Sequence, residues 1–354
     1  MSILEKQHWC GHLYFGCAEV KVVKMKLGTL KSNEADGQLV VVSRDNQKCV
    51  AVPQIAANMG QLLENWQQHH TALEKIYNDL NEGKLSVAMA VDQDEFHSPL
   101  PRCYGWLDGS AFIQHVILVR KARNAEPPAT LREIPLMYQG GSDDFLAPRD
   151  NIPMVDPSHG VDFEGEVGVI VGDVPMGVKE KDAHQYIKLI TIINDVSLRG
   201  IIKDEIVRGF GFLQGKPSSA FAPFCITPDE LGSSWKDGRI HLPLNSEYNG
   251  EWFGHPNAGQ MHFSFGKLIE HAARTRNLKA GTIIGSGTVS NEDPNVGSSC
   301  LAERRYIEMI NDGKASTPFM QNGSTIKIEM LSETGENLFG TIYQKVVKTN
   351  FDET

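Results

Sequence analysis

Glu164 and Glu166 stand one residue apart in the stretch VDFEGEVGVIVG at 161–172. Val167, Val169 and Val171 alternate with small partners, so the stretch reads as a strand. Successive side chains leave a strand on opposite faces, so both glutamates project from one face while Gly165 leaves room on the other. Paired carboxylates repel unless they are solvated, share a proton or hold a cation. Apolar flanks on both sides argue against a wet surface strand. Two more carboxylates stand where burial is expected. Asp195 ends the apolar run LITIIND, where an acid is costly unless paired or bound to a cation. Asp108 lies in YGWLDGSAFIQH, seven residues before His115. Asp108, Glu164, Glu166 and Asp195 together make an all-oxygen, hard-ligand set that selects Mg²⁺ or Ca²⁺, with Mn²⁺ also admissible, over zinc.

The elements around these residues are short. The 354-residue chain has 33 Gly and 17 Pro, which favours many turns and brief strands over a helical bundle. Strand patterns open at Met25 (KMKLGTL, QLVVVSRD), a helical apolar stripe covers 54–80, and further helices are expected over 181–189 and 261–276. Strands TIIGSG, STIKIEM and FGTIYQKVV close the chain. The class is α+β, dominated by mixed sheet. Three segments follow: an N-terminal extension at 1–24, a small domain of strands plus a helix at 25–97, and a catalytic domain at 98–354. Within the extension, His8, Cys10, His12 and Cys17 match no structural zinc spacing. Asp204 and Glu205 read as solvated charge on a loop, and Gly209 with Gly211 reads as a lid over substrate.

A net charge of -10 argues against nucleic acid or an anionic membrane as partner. The six dispersed cysteines contain no C-x-x-C and read as reduced thiols. With no apolar run near membrane-spanning length and no clear signal peptide, a cytosolic protein is expected. GSGTVS at 285–290 lacks the third glycine and the βαβ setting of a dinucleotide loop, so no nucleotide cofactor is expected.

Six pieces in order now carry a resemblance. They are D-x6-H at Asp108 and His115, P-x-x-Y-x-G at 135–140, D-F-E-G-E at 162–166, N-D-x-S-x-R at 194–199, G-K at 215–216, and G-S-G-T-V-S at 285–290. From about 100 to 347 the chain resembles the fumarylacetoacetate hydrolase family. The resemblance implies a mixed β-roll core, a small β-rich N-terminal domain, a homodimer, and Mg²⁺ or Ca²⁺ on the four acids. It also implies that His115 takes a proton from water and that Lys216 shares the developing negative charge. By the same likeness Arg123, Tyr138, Arg199 and Thr288 face the substrate, and Glu303 orients His115 at a spacing one or two residues from the family's. The family's substrate-contacting Gln is replaced here by Ile202. The implied reaction is C–C hydrolysis of a β-diketo acid, with fumarylacetoacetate favoured. Hydratase, decarboxylase, isomerase and acylpyruvate hydrolase activities on 2-oxo acids are the alternatives, and a non-enzymatic relative is the remote one.

Overall fold

A computed structural model describes residues 23–122, 126–127 and 129–349. The expectations for residues 1–22 and for Arg123 therefore fall outside the described residues. The principal sheet is built from β1 (Lys26–Leu30), β2 (Gln38–Val42), β3 (Lys48–Ala51), β4 (Met89–Ala90), β5 (Trp106–Gly109), β6 (Met137–Gly140), β7 (Gly165–Val171), β8 (Ile187–Asn194), β9 (Phe224–Ile226) and β10 (Ile283–Gly285). Their spatial order is β4-β3-β2-β1-β9-β8-β7-β10-β5-β6, with Ala220–Phe221 also pairing β8. A second sheet runs Glu251–Gly254, Leu244–Tyr248, Thr325–Met330, Ile342–Lys348, Ile152–Met154. The fold is thus mixed α+β, as the sequence predicts.

Every residue of β7 is buried, because both of its faces are covered. Val167, Val169 and Val171 enter the core shared with Leu244, Ile326 and Ile328 of the second sheet. Ile170, on the opposite face, joins a second core with Leu27, Leu63 and Leu73 from the N-terminal region. The N-terminal strands are continuous with the main sheet, since β1 pairs antiparallel with β9 (Lys26↔Ile226, Leu27↔Cys225).

The helices differ from expectation in three ways. The stripe over 54–80 is two helices, Met59–Glu64 and α1 (Trp66–Asn81), separated at Asn65. Over 181–189 only the turn Glu180–Ala183 is α-helical, and from Ile187 the β-branched run becomes β8. The helix expected over 261–276 is shorter, Phe265–Ala272, and Ser264 caps it by accepting from the Lys267 N–H. Three helices are additional: α2 (Ile113–Ala122), α3 (Arg199–Arg208) and α4 (Leu301–Asp312). Asp204 and Glu205 therefore stand on α3, not on a loop. Among the described residues, no helix is long and apolar enough to cross a membrane.

Candidate active site

Strand register assembles the acids. Asp108 on β5 lies opposite Tyr138 on β6 and beside Gly285 on β10. Gly285 in turn lies opposite Gly168 on β7, two residues from Glu166. Partners in register share a face, so Asp108, Tyr138 and Glu166 project together. Glu166 faces Ile193 on β8, which brings Asp195, just past that strand's end, to the same place. One oxygen each from Asp108, Glu166 and Asp195 lie within 4.8 Å of one another. Glycine is required at 285: a Cβ there would stand 2.5 Å from both Asp108 Oδ1 and a ring atom of Trp106. Gly287, at φ +77°, turns its N–H onto Asp108 Oδ1 at 2.9 Å.

These three carboxylates are buried. Burial, then the charge of Asp195, pushes Asp108 up to about 8. Burial, then Asp108 and Asp195, holds Glu166 well above the usual carboxylate range. Among the described residues, neither Glu166 oxygen, both of them buried, has a hydrogen-bond partner. An orphaned carboxylate among acids fits a hard divalent cation, which would complete its bonding and offset the repulsion. Asp108, Glu166 and Asp195 are the residues that would hold it.

Glu164 takes another position. The strand interrupts after Val161–Asp162, which pairs with Ser197–Leu198, and resumes at Gly165. Glu164 bridges to Cys300 instead, and its ligand atoms group with those of His115 and Cys300 within 4.8 Å. Its Oε1 accepts from Arg199 at 2.6 Å and its Oε2 from Lys216 at 2.5 Å. Burial opposes its charge, yet Arg199 and Lys216 outweigh that and hold it well below the usual range. Glu164 is thus set at the margin of the acid triplet by its two cations.

Lys216 also reaches Asp195. Burial disfavours its ammonium, but Asp195 and Glu164 keep it charged well above ordinary lysine. Asp195 further accepts from the Tyr138 hydroxyl and the Ser219 hydroxyl, each at 2.6 Å. Tyr138 therefore belongs to the acid cluster, with its ring 5.1 Å from the Lys216 ammonium. Arg199, expected against the substrate, is partly buried and pairs with Asp162 (2.9 Å) and Glu164. Thr288 is buried one residue beyond Gly287. Ile202 packs beneath Gly215.

His115 on α2 is brought to Glu303 on α4, with Nδ1 2.8 Å from Oε2. The altered spacing to Glu303 thus still brings the acid to the imidazole. Cys300 caps α4 through Sγ, accepting from the Glu303 N–H at 3.3 Å. Asp162 adds a capping carboxylate, accepting from the N–H groups of Leu301 (2.8 Å) and Ala302 (2.9 Å). Asp162, Cys300 and Ser219 were not singled out from the sequence. The signal for Asp162 was its place two residues before Glu164, a third acid in DFEGE.

Comparison with known proteins identifies the family. Residues 105–347 match the family model described as fumarylacetoacetate hydrolase C-terminal, and 25–102 match fumarylacetoacetase N-terminal domain 2. The chain belongs to the fumarylacetoacetate hydrolase family, whose members include hydrolases and isomerases. It is 26% identical over 217 residues to oxaloacetate tautomerase YisK of Bacillus subtilis, spanning 59% of this chain and 67% of that protein. It is 28% identical to the 2,4-didehydro-3-deoxy-L-rhamnonate hydrolase of a Sphingomonas species, over 49% of this chain and 58% of the relative. The fold is shared with a fumarylacetoacetate hydrolase from Exiguobacterium antarcticum, at TM-score 0.63 and 16% identity over 92% of this chain and all of the other.

Proposed function

We propose that this protein is a metal-dependent hydrolase that cleaves a C–C bond in a β-diketo acid, with fumarylacetoacetate, giving fumarate and acetoacetate, as the favoured substrate. The observation that carries the reading is the His115–Glu303 pair beside Glu164 and the acid triplet. With Glu303 accepting from Nδ1, Nε2 is left to take the proton of a water that attacks the substrate carbonyl. Glu303 then stabilises the imidazolium. Lys216, held charged between Asp195 and Glu164, compensates the negative charge that develops on the departing enolate. A cation on Asp108, Glu166 and Asp195 (Mg²⁺, Ca²⁺ or Mn²⁺) supplies Lewis-acid polarisation of the substrate oxygens when bound. A homodimer in the cytosol is part of the same proposal, on the family likeness and the scattered cysteines, of which Cys49, Cys103, Cys225 and Cys300 are free among the described residues.

Tautomerisation of a 2-oxo acid is the second reading, supported by the similarity to an oxaloacetate tautomerase. It needs a base and a stabilised enolate but no attacking water. The test is turnover of a panel of 1,3-diketo acids and 2-oxo acids by chelator-stripped protein, with and without added Mg²⁺. Mg²⁺-dependent cleavage of a diketo acid is expected. Enolisation without cleavage, or full activity in chelator, would overturn the proposal.

A further inference from the structure

Lys216 is presented by a loop with few ordinary anchors. After α3 the chain turns through Gly209 (φ +77°) and Gly211 (φ +101°). Phe210 and Leu213 point to solvent, Leu213 at 85% exposure. Only Phe212 packs inward at this point, edge-on to Tyr138 at 5.3 Å. The backbone is gripped from beneath instead. Glu205, buried on the last turns of α3, accepts from the N–H groups of Leu213 (3.1 Å) and Gln214 (2.8 Å) through Oε1. Its Oε2 accepts from the Gly215 N–H at 2.9 Å. The Gly215 carbonyl accepts from the Leu198 N–H at 2.8 Å, which ties the same point to the start of α3. A Cβ at 215 would lie 2.6 Å from Ile202 Cγ1 and 2.8 Å from Glu205 Oε2, so the loop descends onto the carboxylate only as glycine. Three successive amides converging on one carboxylate form a charge-assisted clamp. The next residue is Lys216.

We propose that Glu205 is a positioning residue for Lys216: by clamping the amides of residues 213–215 it fixes where the ammonium meets the site. The inference rests on the hydrolase reading only in giving Lys216 its role in turnover. Glu205 touches neither substrate nor the acid triplet, and acts through the loop alone. Its loss therefore lowers turnover while leaving substrate affinity in place.

The test uses the full chain with Mg²⁺ and compares Glu205→Ala and Glu205→Gln with the parent. Amide hydrogen exchange at 213–215 is expected to accelerate at least about tenfold in Glu205→Ala, and less in Glu205→Gln, which keeps one acceptor oxygen. On a substrate that the parent turns over, kcat should fall roughly 10- to 100-fold with KM within about twofold, the size of a small misplacement of a catalytic group. In a Lys216→Arg background, which keeps a cation, the added loss from Glu205→Ala should shrink to within about twofold, because both changes act on one element. Unchanged exchange at 213–215 in both variants would overturn the clamp. Losses that multiply in the double variant would overturn its action through Lys216. If the parent turns over no acid of either class, the hydrolase reading fails while exchange still decides the clamp.

Discussion

The acid triplet should make the cation-free protein lose stability as pH rises, and Asp108→Asn should remove the part of that loss that Asp108 contributes. Asp108 has a folded pKa near 8 against 3.8 for a free aspartate. A carboxyl raised in this way keeps its proton in the folded protein where the unfolded chain has already lost it. Its contribution is therefore complete below 3.8 and drains away up to about 8. At about 1.4 kcal/mol for each tenfold change, ionising Asp108 fully in the empty triplet costs on the order of 5 kcal/mol. Relaxation and water entry reduce such a figure. At about 2 °C per kcal/mol, a fall in Tm of roughly 5 °C between about pH 5.5 and about pH 8 is expected in chelator. On the proposed reading, in which Mg²⁺ takes the ionised triplet, its protection should be larger at the upper pH, near 3 kcal/mol at about a hundred times Kd. Thermal unfolding of both proteins, with chelator and with Mg²⁺, gives four pH profiles. The wild-type chelator profile should slope downward, and the Asp108→Asn profile should fall less steeply, keeping the slope that the raised Glu166 contributes, and respond little to Mg²⁺. Parallel slopes in the two proteins, or an equal Mg²⁺ shift in both, would refute the argument.

Three further outcomes are expected. His115→Ala should lower kcat by ~10²–10⁴ with Mg²⁺ affinity unchanged by calorimetry; near-normal turnover would show that another group activates the water. Asp162→Asn leaves the partly buried Arg199 with one fewer anion and weakens the cap of α4, so thermal or denaturant unfolding should show a loss of about 2 kcal/mol; a loss below about 0.5 kcal/mol would rule out a structural ion pair there. Gly285→Ala places a methyl against Asp108 and Trp106, and should weaken Mg²⁺ binding at least about tenfold while the protein still folds; wild-type affinity would show that the strand shifts freely.

What the sequence revealed and what it concealed divide along one physical line. The helix stripe ending in α1 and the Phe265 helix were legible because their inward faces are apolar and recur at helical spacing. The three helices that were missed are those that serve the site. α2 brings His115 to Glu303, α3 turns Arg199 and Glu205 into the protein, and α4 buries Glu303 in its first turn. Charge on the buried face breaks the apolar stripe by which a helix is recognised. The same conflict explains Glu164: simple alternation put it beside Glu166, but the strand breaks so that its carboxylate meets Arg199 and Lys216. The triplet itself was legible because it hangs on regular register, from Asp108 through Gly285 and Gly168 to Glu166. Where backbone hydrogen bonds set a side chain's place, local pattern suffices. Where buried ion pairs set it, the partners lie far along the chain, as Asp162 and Glu164 do from Arg199, and only the folded arrangement brings them together.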